Sequence, residues 1–464
     1  MKKVKRHHVP AAPPLRFQEE LARAERLIER GAYREALDIL TALNERYPNR
    51  PSVLILMADV FFETEDYPNY LQTTYLLYNL TPNDPNIVFN LASVCPVMGF
   101  PAFALQLYRQ FLKRWPKHEM AAEARERIGQ LEEFLKTFIS ESSFPVDPDI
   151  LALHDEMRLC MMVGDYANGR KIARKLLAKS PHFAPAFNNL SLISWIEGDL
   201  EEAVQTAQKV LDIDPQNFHA LSNLSRFFYL QGQPEKAFQY ARQLKEIQRD
   251  IPELWTKQAE ALAFLGDDEG VVSIQYDDQA IAALSPSEAA LFYCCRAASE
   301  YRLGNTKKAR SLWRKALTCE ADFPLAIENL ENLRRPPHEQ FSPWPLPMHY
   351  WISPGQLNSL SKILERAASL PEERGMDLIR RYLDEHTHLP FLARPILERG
   401  SPETKELVIR LADLSGHPAL LEALKEYALG PHDPDEQRLR VAHLLLEHGV
   451  IPSGMVRIRM FFTS

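Results

Sequence analysis

Apolar positions along this chain fall into short stripes. Within segments of roughly 12–14 residues they recur at i, i+3, i+4 and i+7, the spacing of a helix that buries one face. Turns containing glycine punctuate the stripes, at Gly31, Gly164, Gly198, Gly232, Gly266 and Gly304. From Gly164 to Gly198, to Gly232, to Gly266, the interval is 34 residues each time. Five residues after most of these glycines stands a small residue: Ala36, Gly169, Ala203, Ala237 or Ala309. Further on, Pro48, Pro181 and Pro215 close several units.

One unit of this kind is a pair of helices folded back on each other. Glycine ends the first helix, where a positive φ is wanted. In Gly198-Asp199-Leu200-Glu201-Glu202, Asp199 is placed to cap the second helix and Glu202 to complete a capping box. Small residues at the crossing let the two backbones approach. Proline stops the second helix because it lacks the N–H that the next turn needs.

The order of large apolar, small, Gly, Ala and Pro residues in 184–217 (Phe187, Leu190, Ser191, Gly198, Ala203, Ala207, Val210, Pro215) resembles the tetratricopeptide repeat family. Phased on it, the chain divides into units 17–50, 51–84, 85–118, 150–183, 184–217, 218–251, 252–285 and 290–323. Their eighth place holds Ala24, Ala58, Ala92, Ser191, Ser225, Ala259 and Ala297 in all but one unit. The fold class expected is all-α: an α-solenoid of helical hairpins (an α-α superhelix) followed by a smaller helical domain.

Some units depart from the pattern. Glu65 replaces the turn glycine of 51–84, and Tyr70 its small crossing residue. After Gly266, the run Val271-Val272-Ser273-Ile274 loses the helical stripe of 252–285. Residues 119–139 read as one long helix, and the Pro/Ser-rich stretch 140–149 as a break. The domains expected are a disordered basic tail at 1–16, a first stack at 17–139, a second at 150–335 closed by helix 324–335, a Pro/aromatic linker at 336–352, and a helical domain at 353–464.

The linker PPHEQFSPWPLPMHYWI holds Phe341, Trp344, Tyr350 and Trp351 among prolines. Either these rings pack into a groove between domains, or the segment is a polyproline ligand for another domain. Beyond it, helices are expected over Pro402–Leu414, Pro418–Leu429 and Pro434–His448. Leu407, Leu411 and Leu414 would line one face, and Leu420, Leu421 and Leu424 another. The opening Asp433-Pro434-Asp435-Glu436 and the run from Arg438 to Ala442 resemble HEAT-like repeats. The tail Met455–Ser464 alternates like a strand, as a truncated continuation would.

Charge changes the picture little. The net charge is −8, without the basic stripe that phosphate binding needs, so no nucleic acid is expected. No apolar run is long enough to span a membrane and no apolar leader follows Met1–Pro14. Five cysteines (Cys95, Cys160, Cys294, Cys295, Cys319) form no CxxC pair and suit a reducing compartment, so the expected address is cytoplasmic. Cys294 and Cys295 are adjacent on a helix, so only one is expected to face the core. Phosphate-binding glycine loops and nucleophile elbows are absent from the sequence. His443 and His448 are i+5 apart, off the one-turn spacing of a metal pair; His386 and His388 suit a helix C-terminus better than a metal. Accordingly no catalytic residue, cofactor or metal is expected.

The resemblance implies that the first helix of each unit lines a concave groove. It places Asn188, Asn189, Asn223, Arg226 and Lys257 there, with Asn90 and Arg158 as earlier counterparts. An asparagine amide offers both a donor and an acceptor, matching a peptide unit; the same amide can instead bond within its own hairpin. Arg158, Arg226 and Lys257 would favour acidic side chains or a terminal carboxylate. The resemblance therefore implies a non-catalytic scaffold gripping a peptide or helix of a partner protein. The alternative is a regulatory or targeting subunit whose catalytic domain is separate or follows residue 464.

Overall fold

The computed structural model describes residues 15–141, 147–430 and 433–452. Among these the chain is all-α, with 25 helices and two short 3-10 turns. The helices gather into two compact units, divided after Ala186. The basic tail up to Pro14 and the segment Met455–Ser464 lie outside the described residues.

The first unit is built of hairpins. α1 (Leu15–Glu29) pairs with α2 (Tyr33–Arg46), α3 (Pro51–Glu63) with α4 (Tyr67–Leu80), and α5 (Pro85–Val97) with α6 (Pro101–Arg114). α7 (Ala121–Glu141) is the expected long helix and packs on α6. α8 (Pro148–Met162) also packs on α6 and pairs with α9 (Tyr166–Lys179). The hairpin of 150–183 therefore stacks directly on that of 85–118, and the division falls after Ala186 instead of at 140–149.

Local chemistry explains the helix starts. Asp66, Asp84, Asp147 and Asp165 each accept a backbone N–H in the first turn of the helix that follows. Gly164 in this unit and Gly198, Gly232 and Gly266 in the second take φ of +76, +94, +73 and +81°. Glu65 adopts the same left-handed geometry, φ +57°, without glycine's freedom. Ala24, Ala36 and Ala92 are fully buried at the crossings. Tyr70, at the crossing of α3 and α4, is buried with its ring 5.4 Å from that of Phe62.

The second unit continues the pattern with α10 (Ala184–Glu197), α11 (Leu200–Ile213), α12 (Phe218–Leu230), α13 (Pro234–Glu246) and α14 (Pro252–Leu265). Asp199 caps α11, accepting the Glu202 N–H at 2.9 Å, while the Glu202 carboxylate accepts the Ser194 hydroxyl. The weak stripe after Gly266 becomes two short helices, α15 (Asp268–Ser273) and α16 (Asp278–Ala282). Buried Arg296 takes the carbonyls exposed by that early stop, donating to Val271 and Ile274 at 2.9 and 3.0 Å and to Val272 at 3.2 Å. α17 (Pro286–Arg302), α18 (Thr306–Cys319) and the closing α19 (Pro324–Asn332) complete the array.

Residues 333–353 then run as a strap with 3-10 turns at Pro337–Glu339 and Met348–Tyr350. The C-terminal helices are α20 (Pro354–Ala368), α21 (Glu372–Glu385), α22 (His388–Arg399), α23 (Pro402–Ser415), α24 (Pro418–Leu429) and α25 (Asp435–Glu447). Leu420, Leu421 and Leu424 are buried as expected, but Leu414 is 46% exposed, one turn past Leu411 at the frayed edge of its stripe. Two buried ion pairs brace this region: Lys405 with Asp433 at 2.5 Å and Arg438 with Asp435 at 2.6 Å.

Candidate functional site: the inner wall of the hairpin array

In the second unit the inner wall is already occupied, by the chain's own strap. Asn332 Nδ2 donates to the Phe341 carbonyl at 2.8 Å, and the Phe341 N–H donates to Asn332 Oδ1 at 2.9 Å. One turn earlier, Asn329 makes the same pair of bonds to Trp344, both at 3.2 Å. Arg302 Nη2 donates to the Pro343 carbonyl at 2.9 Å, and the Cys295 thiol reaches the Pro345 carbonyl at 3.7 Å. Trp344, Leu346, Trp351 and Ile352 are buried, Trp351 with its ring 4.5 Å from Phe264. The strap thus runs backwards over the hairpins, from the closing helix towards α12.

Its far end is fixed by charge and stacking. The Tyr350 ring lies under the Arg226 guanidinium, 5.0 Å from its centroid, and Trp195 and Phe227 sit at 5.7 and 5.3 Å. Tyr350 donates its hydroxyl to Glu260 Oε2 at 3.3 Å, and Lys257 Nζ holds both Glu260 oxygens at 2.8 and 3.1 Å. Burial pulls Arg226 below its usual pKa, opposed by Tyr350 and Glu260. Burial, then Glu260, pushes the Tyr350 phenol up.

The C-terminal helices seal the turn edge of the same hairpins. A Cβ on Gly355 would stand 2.2 Å from the Glu197 carbonyl oxygen, so α20 starts in backbone contact with the turn at Gly198. Phe391 of α22 lies against Gly232 and Tyr229, and Arg399 against Gly266. Arg399 also donates to the Tyr229 hydroxyl at 3.3 Å. A charged cavity of about 690 Å³ remains between the Gly266 turn, α15, α17, the strap, α22 and α24, lined by Arg302, Arg394, Arg399, Asp268, Glu398 and Glu426. Each of these guanidinium groups has a carboxylate partner there.

The residues expected to hold a partner's peptide are therefore distributed differently. Arg226 and Lys257 face inward, but Tyr350 and Glu260 take them, so neither offers a free charge. Asn188 is buried and donates to Asn217 Oδ1 at 3.1 Å, the same oxygen that caps α12. Its amide works inside the array because the fifth place of this unit faces the start of the next helix. Asn189 is half-buried and already engaged, and Asn223 is half-buried on α12. In the first unit, Asn90 is half-buried on α5 and Arg158 is exposed on α8. Arg158 donates to the Gly99 carbonyl at 3.3 Å and lies 5.3 Å from the Phe100 ring centroid.

Sequence reasoning missed Asn329, Asn332, Arg302 and Cys295 as the groups that hold a peptide backbone. The spacing of Asn329 and Asn332, three apart on a helix, was a signal for side chains sharing a face. Cys294 and Cys295 are both fully buried, against expectation. Only one faces the hairpin interior; the other faces the inner wall and is covered by the strap.

Residues 163–218 and 194–261 match two family models, each described as Tetratricopeptide repeat. Residues 163–261 carry tetratricopeptide repeats. Neither match extends into the C-terminal helices, whose HEAT-like motifs remain a resemblance. Among solved structures, a tetratricopeptide repeat protein from Parabacteroides merdae is 16% identical, covering 61% of this chain and 97% of its own, with a TM-score of 0.33. The TPR domain of P58(IPK) is 13% identical over 93% of this chain and 99% of its own, with a TM-score of 0.27. The TPR2AB domain of yeast Sti1, in complex with pHSP90, is 15% identical over 55% and 97%, with a TM-score of 0.23. No curated protein matches the sequence significantly. Among the described residues no helix is long and apolar enough to cross a membrane.

In the tetratricopeptide numbering, the strap meets the sixth (Cys295), ninth (Arg226, Glu260) and thirteenth (Phe264, Arg302) places. Among the described residues, no strap covers the same places in the first unit, on α1, α3, α5 and α8. Several large apolar side chains stand open on these helices: Ile55 at 40% exposure, Phe62 at 54%, Val97 at 63% and Met162 at 54%.

Proposed function

We propose that this chain is a non-catalytic protein-interaction scaffold whose partner site is the inner wall of α1, α3, α5 and α8. Asn90 and Arg158 stand on that wall, with Ile55, Phe62, Val97 and Met162 as its apolar contacts. The inner wall of α12–α19 serves instead as the seat of the strap. The observation that carries this reading is the strap itself: an extended segment held by paired asparagine bonds and aromatic packing at the family's groove positions. What one stretch of the wall does for a segment in cis, the uncovered stretch can do for a partner in trans.

The test uses the full chain as bait for affinity capture and mass spectrometry, with crosslinking to locate the contact. Phe62→Glu with Val97→Glu places charge on the inner wall. Leu80→Glu places it at an exposed position outside that wall and serves as control. The expected result is loss of capture with the first variant and retention with the second. Equal capture by all three chains overturns the reading.

A further inference from the structure

The inner wall of the first unit carries a charge pattern of its own. At the ninth and thirteenth places, where the strap meets the second unit, α1 presents Glu25 and Glu29 and α3 presents Asp59 and Glu63. All four are exposed, and none is in an ion pair among the described residues. Among the described residues, the only side-chain bond to any of them is from the Tyr33 hydroxyl to Glu63, at 3.5 Å. Each pair is four residues apart on one helix face, where like charges repel. α3 contains no basic residue to offset its pair. Partial burial against the helix surface, and second the neighbouring Glu63 carboxylate, push the Asp59 carboxyl above its usual pKa.

Apolar groups are interleaved with these carboxylates. Ile55 stands one turn before Asp59, and Phe62 beside Glu63, so α3 shows apolar and acidic side chains on a single stripe. Scattered surface apolar residues need no explanation, but a shared stripe with uncompensated charge does. Further along the wall the same two places turn neutral at Ser93 and Val97, then basic at Arg158. The acidic character is therefore confined to α1 and α3.

We propose that the α1–α3 stretch of the wall takes a basic amphipathic segment of a partner protein. Its Lys or Arg residues would neutralise the two carboxylate pairs, and its bulky apolar residues would cover Ile55 and Phe62. This rests on the scaffold reading above and narrows it to one class of partner.

Three short synthetic peptides test it against the full chain by fluorescence anisotropy. They share Leu and Phe at helical spacing and differ only in having Lys, Ser or Glu at the other places. The Lys peptide is expected to bind about tenfold more tightly than the Ser peptide, as the sum of a few exposed ion pairs would give. Added salt should weaken it, and the Glu peptide should bind least. Asp59→Lys with Glu63→Lys should invert the order of the Lys and Glu peptides, with circular dichroism unchanged. Equal binding of the Lys and Ser peptides, or indifference to that double change, overturns the charge assignment. Loss of partner capture by Phe62→Glu with Val97→Glu would then still sustain the scaffold reading. Lys-peptide binding seen only after deletion of residues 1–14 would assign the wall to the chain's own Lys2–Arg6 stretch and overturn an external partner.

Discussion

Asn332 and Phe341 close a two-bond ring: the side-chain amide of one donates to and accepts from the backbone of the other, at 2.8 and 2.9 Å. Asn329 repeats the arrangement on Trp344. Removing either amide leaves backbone groups of the strap without partners. Asn332→Ala should therefore cost about 1–3 kcal/mol in urea denaturation, the usual range for stranding a buried polar group. Cysteine labelling reports where the loss falls. In the native chain half-buried Cys319 should react first and Cys295 slowly. Asn329→Ala with Asn332→Ala should speed labelling of Cys295, which faces the strap, and leave Cys294 protected. Equal acceleration of both would mean that the hairpin opens, not the strap.

The buried Lys405–Asp433 pair makes a second case. Asp433 Oδ1 also accepts the Ser342 N–H at 2.6 Å, so this ion pair ties the C-terminal helices to the strap. Asp433→Asn keeps an acceptor for Ser342, and Asn tolerates the residue's left-handed φ of +71°. It nevertheless strands a buried ammonium group, which should cost about 3–5 kcal/mol. Adding Lys405→Met removes that stranded charge, and the double variant should recover most of the loss. A double variant no more stable than Asp433→Asn alone would show that the charge is not what the site compensates.

Much of this architecture was readable beforehand because it is local. The 34-residue interval follows from helix length, turn geometry and a crossing that admits only small residues, all encoded within one hairpin. The C-terminal helices begin at Pro402, Pro418 and just after Pro434, where proline and acidic residues mark a helix start. The candidate site was less legible. Arg226 sits at an inward-facing place, but nothing near it announces that Tyr350, 124 positions later in the numbering, will cover it. The strap's course depends on a chain reversal after α19, and its contacts are set by tertiary packing. Cys294 and Cys295 mark the limit: helix geometry turns them about 100° apart, onto different faces, but only the strap explains why both are buried.

Asp155 offers a pH-dependent test. It is buried on α8, and its Oδ2 accepts the Ala102 and Phe103 N–H groups at 2.9 and 3.3 Å, at the start of α6. Burial raises its pKa from 3.8 to about 6, against the lowering effect of those bonds and of Arg158. A raised native pKa means that the folded chain holds this proton more tightly than the unfolded chain. Its stabilising contribution is then present below about pH 4 and lost as pH rises through 6, on the order of 3 kcal/mol in all. Asp155→Asn should flatten that part of the stability profile. Carbon NMR of the carboxyl should find a midpoint near 6; a midpoint near 4 would remove the basis for the slope.

Among the turns inside the first unit's hairpins, at Gly31, Glu65, Gly99 and Gly164, Glu65 does the work of glycine without being one. Its φ of +57° matches the turn glycines, yet a side chain in that region costs roughly 1–2 kcal/mol. The side chain is exposed and makes no hydrogen bond, so little is lost with it. Against the relief stands the extra backbone freedom that glycine gives the unfolded chain, about 0.5–1 kcal/mol. Glu65→Gly should therefore stabilise the chain by about 0.5–1 kcal/mol, as a higher denaturation midpoint at unchanged slope. Gly31→Ala, at the equivalent turn with φ +72° and open space around it, should shift the midpoint the other way by about 1 kcal/mol. An unchanged midpoint in both would mean that these turns carry no strain and that glycine recurs there for another reason.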